Sequence, residues 1–110
     1  MTPQQSELLA DIQRLALAGA KQTGLRVMHS VRSDTYIGNG QVFVVSEIRI
    51  LDRNLAELHK TSVQIDADGY DQPPTYLYLP DGADYGERTL VQQRDELTEF
   101  IATHRKQEAA

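Results

Sequence analysis

The sequence predicts an α+β fold. A single domain over residues 1–110 would run α-β-β-β-β-α, with a four-stranded antiparallel meander and both helices on one face. Three observations carry this. A segment near each end repeats apolar residues at helical spacing. Between those segments the apolar period falls to two. Asn39-Gly40 and Asp52-Arg53-Asn54 interrupt the period-two stretch with hairpin chemistry.

The first helix is expected over residues 3–23. Thr2-Pro3-Gln4-Gln5 has the capping-box pattern with Pro at the first helical position. Leu8, Leu9, Ile12, Leu15, Ala16 and Gly19 form its stripe, and Gly24 supplies the stop. The first two strands follow. A type I′ turn at Asn39-Gly40 pairs Ile37 with Val42, because that turn needs positive φ at both central residues. The register that follows sets Tyr36 against Phe43, Arg32 against Glu47, Val31 against Ile48 and His29 against Ile50.

The turn at Asp52-Arg53-Asn54 then sets Leu51 against Leu55, Arg49 against Glu57 and Glu47 against His59. A short helix over Asn54–Lys60 competes, because Leu-Ala-Glu-Leu-His-Lys has good helix propensity. The β-formers of Thr61–Ile65 favour the strand. A fourth strand is expected over Thr75–Leu79, at an edge because Pro73-Pro74 precedes it. The second helix is expected from about Tyr85 to Lys106, started by Asp84 and Glu87, with Gln107 to Ala110 frayed. Leu90, Val91, Arg94, Leu97, Phe100, Ile101 and His104 lie along one side of it.

Composition narrows the function classes. Hydrophobic residues make up 40% and charged residues 25%, enough apolar content for a folded core. No apolar run reaches the ~18 residues that span a bilayer, and residues 1–25 lack a secretion signal. A cytoplasmic protein without membrane contact is therefore expected. Cys is absent, so neither disulfides nor thiolate metal sites can form. The three His, at positions 29, 59 and 104, match no metal motif, and no cofactor is implied. Asp66-Ala67-Asp68-Gly69-Tyr70-Asp71 superficially suggests calcium, but its spacing fails the EF-hand pattern.

The net charge of −5 is unevenly placed. Residues 12–33 carry +4, from Arg14, Lys21, Arg26 and Arg32, with no acid. Residues 61–87 carry −6, from Asp66, Asp68, Asp71, Asp81, Asp84 and Glu87, with no base. Four of the five Tyr (Tyr70, Tyr76, Tyr78 and Tyr85) fall in that acidic block. The overall acidity argues against direct nucleic-acid binding, although the basic stretch leaves room for a local anion contact.

The acidic, Tyr-rich block is the first candidate site. Asp66, Asp68, Tyr70, Asp71, Tyr76, Tyr78, Asp81, Asp84 and Tyr85 would meet a protein partner with a basic surface. The chain would then be a non-enzymatic binding module, an adaptor or inhibitor of the kind phages and plasmids carry. The competing account is a solvated loop whose last acids serve the second helix dipole.

A second candidate is the outer sheet face with Arg32, Glu47, Arg49, Glu57 and His59, as a small-ligand or catalytic platform. Its plainer account is a wet face laced with ion pairs. A soft spot of Ser33, Ser46 and Lys60, with Ser62 nearby, is expected on the core face. His29 falls on that face with no obvious partner, and His104 suits a helix C-terminus. A third reading is a homodimer paired through Leu90, Leu97 and Ile101 of the second helix.

Overall fold

Local chemistry sets the first element as expected. In the computed structural model, which describes residues 2–35, 40–65, 71–72 and 89–105, α1 runs Pro3–Thr23. Thr2 and Gln5 cap it reciprocally: Gln5 N–H donates to Thr2 Oγ1 at 3.2 Å and Thr2 N–H to Gln5 Oε1 at 2.9 Å. Gly24 ends it at φ 72°, a left-handed conformation that glycine adopts without Cβ strain. Its buried face is Gln5, Leu9, Ile12, Ala16, Gly19 and Thr23.

Three full strands follow: β1 (Arg26–Thr35), β2 (Val42–Leu51) and β3 (Glu57–Ile65), in antiparallel order β1-β2-β3. A two-residue β4, Asp71–Gln72, pairs with the end of β3, inside what the sequence reads as a loop. The strand expected over Thr75–Leu79 lies outside the described residues. The last element is α2, Leu90–Thr103. Leu9, Ile12 and Ala16 of α1 and Leu90, Leu97 and Ile101 of α2 form one core with Ile48, Ile50, Val63 and Ile65 of the sheet. Fully burying each Leu, Ile or Val side chain of this set contributes roughly 1.5–3 kcal/mol.

Both strand registers differ from expectation, for different reasons. Thr35 pairs with Val42 and His29 with Ile48, two residues away from the predicted ladder. A two-residue slip leaves every side chain on its predicted face, so alternation could not detect it. It places Arg32 opposite Val45 rather than Glu47, and Asp34 rather than Tyr36 opposite Phe43. The observed register brings His29 one diagonal step from Ser46, within bonding reach.

The β2–β3 ladder differs in parity. Asp52 shapes its turn: its carboxylate accepts from Asn54 and Ala56 N–H, and its backbone N–H donates to Ala56 O. Leu55 sits at φ 64°, where glycine is usual. This chemistry replaces the competing short helix over Asn54–Lys60. Leu51 then pairs with Glu57 but Ile50 pairs with His59, so Leu58 is an extra, bulged residue. The bulge turns the rest of β3 over. His59, Thr61, Val63 and Ile65 face the helices, while Lys60, Ser62 and Gln64 face away.

The second helix starts later than expected. Its cap is Thr89, with Gln92 completing the capping box at 3.2 and 2.8 Å. It ends at Thr103, not Lys106, and His104 closes it with Nδ1 2.9 Å from Phe100 O. Among the described residues no helix is long and apolar enough to cross a membrane.

Candidate functional site

The structure keeps four residues of the predicted outer-face platform on one face, Arg32, Glu47, Arg49 and Glu57, and removes His59 from it. Arg49 and Glu57 form an ion pair at 3.1 Å between β2 and β3, although Lys60 rather than Glu57 stands directly opposite Arg49. Both are about two-fifths exposed, so the pair contributes at most about 1 kcal/mol. Glu47 lies on the same face, with Ser62 Oγ 3.5 Å from its carboxylate. Arg32 stands opposite Val45 on β1. His59 is on the other side of the sheet, because of the bulge at Leu58. There its ring lies 5.2 Å from Phe100, which stacks on His104 at 3.9 Å. Glu96, Glu99 and Thr103 complete the rim of this open hollow of ≈270 Å³.

The face away from the helices is also only partly wet. Phe43, Val45 and Gln64 are fully buried there, and Ser62 is nearly so. Of the acidic, Tyr-rich candidates the described residues include Asp71 alone, opposite Ile65 at the end of β3. Asp66, Asp68, Tyr70, Tyr76, Tyr78, Asp81, Asp84 and Tyr85 lie outside the described residues. The predicted cluster of Ser33, Ser46 and Lys60 is dispersed: Ser33 pairs with Val44, Ser46 with Val31 and Val63, and Lys60 with Arg49.

A buried polar chain takes its place, centred on two residues that the sequence undervalues. Gln93, fully buried on α2, donates from Nε2 to Ser46 O at 3.0 Å and to Thr61 Oγ1 at 3.1 Å. Ser46 Oγ–H donates to Gln93 Oε1 at 2.8 Å. Ser46 Oγ also meets His29 Nε2 at 2.9 Å, and His29 Nδ1 meets Gln13 Oε1 at 2.8 Å. A serine carries one hydroxyl proton, and here it goes to Gln93. His29 Nε2–H must therefore be the donor to Ser46. With Nδ1 set against the Gln13 oxygen, this contact suits the imidazolium, which donates from both ring nitrogens; the neutral ring, whose Nδ1 accepts, requires the exposed Gln13 amide to turn over and present its nitrogen. Burial holds the His29 pKa below its ordinary value.

A Ser–His pair with an amide behind the imidazole resembles a nucleophile and its base. The chemistry does not follow. Ser46 has no exposed surface, and its proton is committed away from His29. The chain fastens α2 to β2 and β3 and ties β1 to α1. Its signal in the sequence is a Gln between Leu90 and Leu97 at helical spacing, with a Ser and a Thr on the adjacent strands β2 and β3.

Among the described residues no group of three His, Asp or Glu side chains comes together as a metal site. A shallow groove of ≈400 Å³ lies between the helices, lined by Asp11, Arg14, Leu15, Ala18 and Arg94. Its charges are engaged, Arg14 with Asp11 and Arg94 with Asp95. Compared with models of protein families, with curated proteins and with solved structures, the chain matches none.

Proposed function

We propose that the chain is a non-enzymatic protein-binding module of the cytoplasm, an adaptor or inhibitor of the sort phages or plasmids encode. It engages a partner's basic surface through the acidic, Tyr-rich segment. One observation carries the reading: six acids and no base over residues 61–87, with four of the five Tyr in the same stretch. Support comes from the two ends of that stretch. Thr61–Ile65 is buried in the sheet, and Thr89 caps a helix whose Leu90 is fully buried. The segment between them is thus tied at both ends to a rigid core, a common way to present a binding loop.

The test is partner capture from the native host by the wild-type chain and by a variant with Asp66, Asp68 and Asp71 all changed to Lys. A protein retained by the wild type at low salt should be lost by the variant and released as salt rises. An identical set of captured proteins for both chains, at every salt concentration, overturns the proposal.

A further inference from the structure

The outer edge of β1 is the strongest unassigned surface. β1 pairs with β2 over ten consecutive residues without a bulge and, among the described residues, forms the edge of the sheet. It contains no Pro, and residues 30–35 are exposed on both faces, with Val31 48% accessible. Long, straight, open edges of this kind are templates for pairing with another strand. The dimer predicted through α2 is not available, because Leu90, Leu97 and Ile101 are buried in the chain's own core.

We propose that this edge pairs with the same edge of a second copy, antiparallel about a two-fold axis at Ser30, giving one continuous sheet. Charge selects both the occupant and the register. Arg26, Arg32 and Asp34 all occupy even positions, on the face away from the helices. In an antiparallel pair about Ser30, Arg26 stands opposite Asp34 of the second copy, and symmetry makes that pair twice. Arg32 stands opposite Met28 and Ser30 opposite itself, so residues 26–34 all find partners.

The other registers are worse. An axis at His29 sets Arg26 against Arg32, and one at Arg32 sets Arg32 against itself. An axis at Ser33 pairs Arg32 with Asp34 but spans only residues 31–35. An axis between two residues pairs even with odd positions and puts no fixed charge against another. The best-matched register is thus also one with long overlap, a property a strand designed against self-pairing would lack.

Sedimentation from micromolar to millimolar concentration should show a monomer–dimer equilibrium. Arg26→Asp and Asp34→Arg should each weaken the dimer by roughly tenfold or more, and the double swap should restore it. The chain has no Cys, so single introduced thiols report the register directly. Under mild oxidation Ser30→Cys should give a linked dimer much faster than Ser33→Cys, whose partner is Val27. A chain that stays monomeric throughout overturns the proposal. So does a dimer insensitive to both charge reversals, or one that cross-links faster through position 33 than through position 30.

Discussion

The two helices begin with the same capping box but fasten to the molecule differently. Each starts at a Thr whose side chain exchanges hydrogen bonds with a Gln three residues on. Past that point they diverge. The buried middle of α1 is apolar or small: Leu9, Ile12, Ala16 and Gly19. At the equivalent depth α2 carries Gln93, which bonds to two strands. Apolar contact is non-directional and tolerates sliding, whereas the Gln93 bonds fix α2 to one register of β2 against β3. α1 therefore contributes burial, and α2 contributes burial together with specification of the sheet.

The sharpest way to break that contrast is to trade the polar clasp for apolar volume. Leu97→Ala, a cavity in the shared core, should cost about 2–5 kcal/mol, as buried leucines do. Gln93→Leu adds apolar surface, yet it should also destabilise, by about 2–3 kcal/mol. It leaves Ser46 O, Ser46 Oγ–H and Thr61 Oγ1 without their Gln93 partner in a dry interior. Urea unfolding of both variants gives the comparison. If Gln93→Leu proves as stable as wild type, the clasp is dispensable and α2 docks by burial alone.

A smaller effect tests how tightly the helices meet each other. A methyl group at position 19 would lie 2.5 Å from Ile101 Cδ1 and 2.8 Å from Cγ1. Alanine gains about 1 kcal/mol of helix propensity over glycine. Overpacking costs about 1–3 kcal/mol, so Gly19→Ala should lower stability by roughly 1 kcal/mol. In an Ile101→Ala background, which removes both Cδ1 and Cγ1, the same change should become neutral or favourable. A double-mutant cycle reads this coupling. Strict additivity would mean that the two helices do not touch at this point.

These contrasts also explain which features were legible in the sequence. The start and stop of α1 are local: Thr2, Pro3, Gln5 and Gly24 act on backbone groups within a few residues, so their types suffice. Two such start signals precede α2, Asp84-x-x-Glu87 and Thr89-x-x-Gln92. Nothing local decides between them; the burial of Leu90 against the sheet is a tertiary fact. The slip of β1 against β2 by two residues preserves every face, so periodicity was blind to it. The single extra residue at Leu58 was decisive for the candidate site, since it moved His59 from Glu47 and Arg49 to Phe100. Gln93 was missed because a lone polar residue in a helical stripe reads as surface until its partners on two distant strands are known.

The finest distinction between the two helices is protonic. α1 reaches the polar chain only through Gln13, at the end open to solvent, and His29 stands between it and the buried end. Burial favours the neutral ring and lowers its pKa from 6.5. Above about pH 6.5 both folded and unfolded chains carry neutral His29, and its contribution is constant. As pH falls through 6.5 the unfolded chain takes up the proton first, so stability declines. The decline levels off once the folded ring's lower pKa is passed. The urea midpoint should therefore fall between about pH 7.5 and 5.5, and by less in a His29→Asn variant. If both chains lose the same stability over that range, the hydrogen bond that the imidazolium gains from Nδ1 to the Gln13 oxygen offsets the cost of burying the charge. The polar chain would then accept a proton at no expense to α2.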